Sequence, residues 1–539
     1  SSSSSSSIAS SPKAPEGLEP GTIRLFASPK NMRLEYASSS AGPWTLAVAL
    51  LGREDGEWKV QTLDGPIRSR WWRLVVVDMW PLSATDAAFL NSTLSPNSTL
   101  RNSTFQPPRV EVACRITGFN LAVPAEDCPG RFRLPSRPQE ATEHNGIQLE
   151  PACFWGEEPH HVFIIGDWGG VISEDSTQDT TKEDAPQTPK PADHRSALYP
   201  EQHRPFVASI DDSAQLRVAS AMKARAAASR PDYILNVGDN FYWAGLEVTC
   251  GARLASERSR TGQWRRIFEE VYTGEYLDGL QWLGVLGNHD WGGFTFTSGW
   301  DQTVSYSWEV EKPSTSRWVT PALYWRSKVR YHGFSVDYFF LDTNVYDAFE
   351  PVEYPNHNLC SVVHNEVEAS CAPQGPASVQ DCPSWFRRLW TEQNFWLVQG
   401  LAGSSADWQI LVTHFPPLWG KEYWQPLTAA YGVDLIIVGH THQQELHAAD
   451  DEDNVLQGTA YVVSGGGGGI TSQETPDVHG EDDQYGFLDM TLSKDSITVE
   501  AISHGGQLRK SIVVTPRYPQ VPQQASSTSQ ARRRRASGQ

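Results

Sequence analysis

Five short, largely apolar runs from residue 161 onward each end at a side chain that can bind a metal ion. Short apolar runs bounded by turn residues predict buried strands. The runs lie at residues 161–165, 233–237, 282–286, 409–413 and 435–438. The side chains that follow them are Asp167, Asp239, Asn288, His414 and His440. Because ligands collect at the carboxyl ends of strands in open α/β sheets, we expect Asp167 and Asp239 to share one edge.

Helical patterns separate these strands. Asp211, Asp212 and Ser213 are predicted to cap an Ala-rich helix that runs to about Ser229, and residues 264–272 and 385–401 are also predicted to be helical. Further strands are predicted at 335–342, 461–464, 485–492 and 496–503. The succession of strand, helix and strand predicts βαβ units, so this part of the chain is expected to be α/β.

The N-terminal part has a different pattern. Short alternating segments with Gly, Pro and Asp turns between residues 21 and 109 predict a β-sandwich, which we assign to residues 21–147. Its spaced tryptophans, which end at Trp71 and Trp72, resemble those of a discoidin-type, galactose-binding-like domain. Glycan or surface binding and a plain aromatic core both fit this pattern. Residues 148–516 are predicted as a second domain.

Four segments have the composition of loops or tails. Residues 1–20 are rich in Ser and Pro, and residues 517–539 end in the basic run Arg532–Arg535, so both are predicted to be disordered. Residues 171–205 and 350–383 are too long and too rich in Pro for ordinary connections, so we interpret them as insertions.

Charge and hydropathy exclude two classes of partner. The 539-residue chain has a formal charge of −20, which repels the phosphate backbone of nucleic acids. No run of eighteen apolar residues occurs, so no membrane span is predicted.

A cluster of glycosylation sequons predicts a protein of the secretory route. Glycosylation sequons at Asn91, Asn97 and Asn102 crowd into one Ser/Thr-rich stretch. Seven cysteines contain no C-x-x-C pair, so they do not resemble a thiolate metal site. In an oxidising compartment they can form up to three disulfides, and a Cys114–Cys128 bridge would contribute about 3 kcal/mol. The chain starts on seven serines without Met, which indicates a mature or truncated form.

The candidate ligands are all oxygen or imidazole donors, which suit iron, zinc or manganese. Asp239 has two carboxylate oxygens and can hold two ions at the roughly 3.5–4 Å separation of binuclear hydrolases. Alone it also fits a solvated turn residue. Tyr242 binds as phenolate only beside a strong Lewis acid such as ferric iron. His440 and His442, one residue apart in a loop, can serve two ions.

Five blocks carry a family resemblance. They are Gly166–Gly170, Gly238–Tyr242, Gly287–Asp290, His414–Pro416 and Gly439–His442. The blocks occur in the same order as in that family. Through them, residues 160–515 resemble a purple acid phosphatase of the small, tartrate-resistant mammalian type, within the calcineurin-like metallophosphoesterases. The resemblance implies an αββα sandwich of two packed sheets, a fold of the α/β (α+β) class.

The same resemblance implies the roles of individual residues. Ferric iron would be bound by Asp167, Asp239, Tyr242 and His442. A divalent ion, iron, zinc or manganese, would be bound by Asp239, Asn288, His414 and His440. His289 would contact phosphate and protonate the leaving group, with Asp239 essential to catalysis and Asn288 near the substrate. Asn240 would either support its loop or contact the substrate. The expected function is hydrolysis of small phosphate monoesters in acid by metal-bound hydroxide, in a secreted or vacuolar-lysosomal protein.

Two positions depart from the family pattern, and two other functions also fit the sequence. Lys421, Glu422 and Tyr423 occupy the segment where the mammalian type has a further histidine, and Thr441 replaces an Asp. A phosphodiesterase or pyrophosphatase could use the same metal pair, and rim residues in the two insertions would decide. A non-catalytic surface or adhesion protein could instead act through the N-terminal domain.

The run Gly465–Gly469 follows a predicted strand. We interpret it as backbone that passes close to the metal site, rather than as a flexible turn.

Overall fold

A computed structural model describes residues 29–37, 45–51, 71–79, 128–156, 159–170, 204–251, 262–309, 317–355 and 357–517. The chain divides into two compact units, Ser1–Ala122 and Val123–Gln539. The sequons at Asn91, Asn97 and Asn102, residues 1–20, residues 518–539 and most of the 171–205 insertion lie outside the described residues.

In the first unit the structure describes one antiparallel sheet of three strands. They are β1 (Pro29–Ala37), β2 (Thr45–Leu51) and β3 (Trp71–Met79), in the order β2-β1-β3. The β-sandwich and its discoidin-like surface stay predictions.

The second unit contains the remaining described strands and helices. Its strands are β4 (Ile147–Gln148), β5 (Ala152–Phe154), β6 (His160–Ile165), β7 (Tyr233–Asn236), β8 (Trp282–Gly284), β9 (Trp318–Val319), β10 (Trp325–Tyr331), β11 (Ser335–Phe340), β12 (Trp408–Val412), β13 (Leu435–Val438), β14 (Gln444–His447), β15 (Ala460–Ser464), β16 (Gly486–Leu492), β17 (Ile497–Ser503) and β18 (Leu508–Val514). Its α-helices are α1 (Ala214–Ser229), α2 (Asn288–Trp291), α3 (Trp300–Ser305), α4 (Cys382–Gly403) and α5 (Lys421–Tyr431). Shorter 3-10 turns cover Asp211–Ser213, Tyr306–Trp308, Asn344–Asp347 and Pro417–Gly420, and Trp264–Glu269 is a π-helix.

The strands form two mixed sheets. One has the order β14-β15-β13-β12-β11-β10-β4, with β5 also paired to β10, and the other has the order β18-β17-β16-β6-β7-β8-β9. The centre of each is parallel, through β11, β12, β13 and β15 in the first and through β6, β7, β8 and β9 in the second. Parallel strands end at the same edge, so each sheet presents one row of carboxyl-terminal loops.

Period-two alternation distributes the apolar side chains between two layers. In β6, Val162 and Ile164 join a core shared with Ile410 of the other sheet, whereas Phe163 and Ile165 face a second core with α1. On the other sheet, Ile436 faces a core that includes residues of α4 and α5. The two sheets therefore pack face to face with helices outside, which confirms the predicted αββα sandwich.

Several local predictions differ from the structure. The prediction that Asp211–Ser213 cap α1 is wrong, because no side chain caps the helix and the Asp211 carboxylate accepts from the Val207 amide instead. The segment expected as a helix at 264–272 contains a π-helix over Trp264–Glu269. The sequence pattern does not predict strand β10, because its buried residues alternate with half-buried polar ones and form no apolar run.

Residues 123–147, which precede the predicted domain boundary at 148, belong to the second unit. Phe132 is buried in the core between the sheets, and its amide donates to Gln281 Oε1 at 2.7 Å. Cys128 forms a disulfide with Cys153, so the suggested bridge from Cys114 to Cys128 is wrong. Sequence separation alone could not exclude that bridge, because the partner is brought near Cys128 by the fold.

Two further disulfides link Cys250 to Cys371 and Cys360 to Cys382. Both tie down the insertion at 350–383. Among the described residues, no helix combines the length and apolarity needed to cross a bilayer.

Replacing Leu488 with Ala should lower the free energy of unfolding by about 2–5 kcal/mol, because Leu488 is fully buried between the sheets and its truncation leaves a cavity. Urea unfolding followed by tryptophan fluorescence measures the loss. Leu508→Ala is the matched control, since Leu508 is 53 % exposed and its truncation should cost less than about 0.5 kcal/mol. Equal losses at both positions would contradict the layered core.

Candidate metal centre

Side chains that follow strands of both sheets meet in two groups of ligand atoms. Asp239, His414 and His440 form one group, and Asp167, Asp239 and His442 form the other, with the ligand atoms of each within 4.8 Å of one another. Asp167 and Asp239 follow β6 and β7 of one sheet, whereas the histidines follow β12 and β13 of the other. The centre therefore lies where the carboxyl edges of the two sheets meet, and Asp239 belongs to both groups.

Four of these residues have a backbone conformation that side chains rarely adopt. The φ angles of Asp167, Asp239, His440 and His442 are 56°, 53°, 77° and 52°. The left-handed region is costly for residues with a Cβ and persists where surrounding contacts hold it. Here each strained residue lies in the loop after β6, β7 or β13 and contributes its side chain to the centre, which marks these loops as functional.

Three oxygens converge at Tyr242. Its Oη lies 2.9 Å from Asp167 Oδ1 and 2.6 Å from Asp239 Oδ2, and all three side chains are buried. A phenol has one hydrogen and can donate it to only one of the two carboxylates. Buried carboxylates without enough donors are unstable unless a positive charge compensates them.

The electrostatics of this cluster follow from its burial. Burial raises the pKa of Asp167 well above its usual range. Burial also acts to raise the pKa of Asp239, but the charges of His414 and His289 outweigh it and hold that pKa far below normal. Burial, with the charges of Asp167 and Asp239, raises the pKa of Tyr242 well above about 10. An ionised phenol at this position therefore requires a cation.

His414 has a defined tautomer. Its Nδ1 lies 2.8 Å from the Val237 carbonyl and donates to it, so Nε2 faces Asn288 Oδ1 at 3.2 Å and Asp239 Oδ2 at 3.4 Å. Burial lowers the pKa of His414, but the Asp239 carboxylate and further acceptors outweigh this and raise it to about 9. The negative field that stabilises a proton on Nε2 would equally stabilise a metal ion there.

The other two histidines are held neutral. Burial lowers the pKa of His440 well below its usual value and that of His442 to about 3. The His440 amide donates to Asp167 Oδ2 at 2.9 Å, and His442 Nε2 lies 3.7 Å from Asp167 Oδ1. His440 Nδ1 is buried and has no hydrogen-bond partner among the described residues. Neutral imidazoles with a free nitrogen are the state that binds metal ions.

The glycine run after β15 passes against the centre, as the sequence indicates. A Cβ on Gly469 would lie 2.7 Å from the Tyr242 ring, and one on Gly467 would lie 2.2 Å from the Gly166 carbonyl. Only glycine permits this approach of two backbones.

Asn240 does not reach the substrate side of the centre. It is fully buried, its Nδ2 donates to Asp290 Oδ2 at 2.9 Å, and its Oδ1 accepts from Asn236 at 2.5 Å. Asp290 also accepts from the Gly287 amide at 2.9 Å. Asn240 and Asp290 thus fix the loops that carry Asp239 and Asn288, and of the two roles that the sequence leaves open for Asn240 these hydrogen bonds favour support of the loop.

His289 opens onto a cavity beside the metal-ligand groups. The cavity has a volume of about 750 Å³, and Asn288, His289, His440 and His442 are among its lining residues. His289 Nδ1 lies 2.6 Å from the Trp243 carbonyl and donates to it, so Nε2 is left for a ligand. The His289 amide donates to Asp239 Oδ1 at 2.9 Å, which couples the loop to the centre.

The cavity also has lining residues that the sequence patterns did not indicate. His357, from the 350–383 insertion, and Trp419, which is 44 % exposed, both lie at its rim. Lys421–Tyr423 begin helix α5 and do not line the cavity. Since His357 follows no strand and belongs to no motif, only its position in the fold reveals it.

The residues fit a pair of hard or borderline metal ions. The donors are carboxylates, a phenol, an amide oxygen and imidazoles, with no thiolate among them. A phenol shared between two carboxylates and an unpartnered buried His440 nitrogen both indicate that positive charge is expected here.

Comparison with known proteins agrees with this chemistry. Residues 160–444 match the calcineurin-like phosphoesterase family. The human "Tartrate-resistant acid phosphatase type 5" is 26 % identical over 299 residues, which cover 51 % of this chain and 77 % of that protein. "Purple acid phosphatase 17" of Arabidopsis thaliana is 28 % identical over 245 residues, covering 44 % and 58 %. These matches confirm the predicted resemblance to purple acid phosphatases.

Among solved structures, GAP50, described as the anchor in the inner membrane complex of Plasmodium, is 18 % identical with a TM-score of 0.41. The likeness covers 67 % of this chain and 90 % of that one.

Asp239→Asn should remove at least one metal ion per chain, because the only carboxylate common to both ligand groups loses its charge. Elemental analysis of the purified variant measures this. Asp301→Asn is the control: Asp301 is also buried and accepts backbone hydrogen bonds, but it belongs to neither group. Full metal content in Asp239→Asn would contradict a shared ligand.

Proposed function

Because this chain belongs to the calcineurin-like phosphoesterase family, we propose that it is an acid phosphatase that hydrolyses phosphate monoesters at a binuclear metal centre. The observation that carries the proposal is the position of Asp239 in both ligand groups. A single shared carboxylate is what two adjacent ions require. The matches to tartrate-resistant and purple acid phosphatases support the same reaction class.

We assign ferric iron to the group of Asp167, Asp239 and His442, beside which the Tyr242 phenol lies. We assign a divalent ion, which is iron, zinc or manganese, to the other group. Asp167, Asp239, Tyr242 and His442 would hold the first ion. Asp239, Asn288, His414 and His440 would hold the second. When bound, the pair supplies positive charge against the phosphate oxygens and lowers the pKa of water at the site.

The chain's own residues position the ester and move a proton. Asn288 and His289 adjoin each other at the start of α2, and both line the cavity, so a phosphate beside the centre lies within their reach. The Trp243 carbonyl fixes the His289 ring through Nδ1, which leaves Nε2 to protonate the departing alkoxide. Trp243, Phe294 and Trp419 line the same cavity and give its walls an apolar surface that limits water.

Acid conditions suit this proton transfer. Burial lowers the pKa of His289, against the charge of Asp239 and the Trp243 carbonyl. The protonated ring is the active form, so the rate is full below that pKa and is lost as the pH rises through it. Because the pKa of His289 is shifted downward, this loss falls on the acid side of the ordinary histidine value.

Three disulfides among the described cysteines support an oxidising compartment, and we propose a secreted or vacuolar-lysosomal protein. The non-catalytic surface alternative gives no reason for both ligand groups to be complete. A glycan-binding role for the N-terminal unit stays a prediction.

The test of this function combines elemental analysis, a visible spectrum and hydrolysis of an aryl phosphate monoester at acid pH. One iron and one divalent ion per chain, a broad visible band and faster hydrolysis of the monoester than of a diester are expected. Tyr242→Phe should bleach the band, because the phenolate that gives rise to it is absent, and should leave hydrolysis measurable. A variant that keeps its colour would show that another residue supplies the phenolate, and preferred hydrolysis of the diester would favour the phosphodiesterase alternative.

His289→Ala should lower kcat for an alkyl phosphate by about 10²-fold with unchanged metal content, because the proton donor at Nε2 is lost. The fall in rate on the alkaline side of the pH profile should disappear with it. His479→Ala, at an exposed histidine outside the cavity, is the control. An unchanged pH profile in His289→Ala would assign the proton donor elsewhere.

A further inference from the structure

The insertion at 350–383 brings a further imidazole to the cavity beside the metal-ligand groups. His357 lines this cavity together with Asn288, His289, His440 and His442. Its side chain is 56 % exposed, so a ligand in the cavity can reach it. Its ring centroid lies 6.1 Å from that of His440.

A buried carboxylate orients this ring. Asp347, at the end of the 3-10 turn Asn344–Asp347 that follows β11, is 1 % exposed. His357 Nδ1 lies 2.7 Å from Asp347 Oδ1 and donates to it. The Asp347 carbonyl also accepts from the Leu359 amide at 2.8 Å, so the chain returns to the same point after His357. With Nδ1 engaged, Nε2 is the nitrogen left for a ligand.

The turn that carries His357 is built rigidly. The buried side chain of Asn358 donates to the carbonyls of Glu350 and Glu353 and accepts from the amides of Phe349 and Cys360. Cys360 is linked to Cys382 at the start of α4. A side chain held by a buried carboxylate on a fixed turn loses little conformational freedom when it binds a ligand.

We propose that His357 is a substrate-contacting residue, which binds a phosphoryl oxygen of the ester through Nε2, and that Asp347 is its positioning residue. The inference rests on the proposed phosphatase function and identifies the residue of the insertion that contacts the substrate. The contact does not depend on one charge state. A doubly protonated ring donates from Nε2 to phosphate, and a neutral ring accepts there from the P–OH group of a phosphate monoanion.

Binding of inorganic phosphate to the metal-loaded full chain tests this without turnover. His357→Ala should weaken the phosphate Kd, measured by calorimetry, by about tenfold, which is the effect of one lost hydrogen bond to a charged group. His357→Phe keeps a ring beside His440 but cannot form the hydrogen bond, so it should lose as much affinity for phosphate as His357→Ala. Metal content should equal that of the wild type in both variants.

His332→Ala is the matched control, because His332 is an exposed histidine on the turn before β11, at the opposite end of that strand from Asp347. Its phosphate Kd should equal that of the wild type. Asp347→Asn should weaken binding in the wild-type background and add nothing to His357→Ala, because it acts through the ring. If the double variant bound phosphate more weakly than His357→Ala, Asp347 would not act through the His357 ring, and its positioning role would be contradicted.

Unchanged phosphate affinity in His357→Ala and His357→Phe would overturn the inference, as would a wild-type chain that binds no phosphate. Failure of the proposed function is a separate outcome. A wild-type chain that binds phosphate but hydrolyses no ester would contradict the phosphatase, while the variants would still decide whether His357 contacts the anion.

Discussion

A buried carboxylate that belongs to two ligand groups at once is the constraint on which the catalytic unit depends. Asp239 is inaccessible to solvent, close to Tyr242 and His414, and common to both groups. Such a charge is costly inside a protein unless cations or hydrogen-bond donors compensate it. The surrounding loops bring the amide of His289 to Oδ1 and the phenol of Tyr242 to Oδ2. The remaining charge is what a pair of metal ions would balance.

The fold meets this constraint by bringing two sheet edges together. Four candidate ligand residues adopt left-handed backbone in the loops after their strands, and this strain persists because neighbouring elements hold it. Glycines in the run after β15 allow the backbone to pass against Tyr242 and Gly166. The hydrogen bonds of Asp290 with Asn240 and Gly287 connect the loops after β7 and β8. The placement of the candidate metal ligands therefore depends on both the packing of the sheets and the geometry of the loops.

The insertion at 350–383 adds a different element to this common centre. Two disulfides and the hydrogen bonds of Asn358 fix a segment that would otherwise be a long loop. Long loops without regular structure are uncommon in compact domains and are frequently functional. This one extends from Asp347 to the rim of the cavity and presents His357 there. The candidate ligands follow strands of the two sheets, whereas His357 reaches the rim from the insertion.

The sequence by itself determined the central buried strands, the types of the candidate ligands and the family. Apolar runs predict β6, β7, β12 and β13, because these strands are buried on both faces and therefore read as continuous apolar segments in the local sequence. The polar residues that end these runs predict the metal ligands, since a strand's carboxyl end fixes where the next side chain lies. Tertiary structure decided the rest. The Cys128–Cys153 pairing, the enclosed position of Asn240 and the approach of His357 each depend on segments far apart in the chain, and no local pattern records such distances.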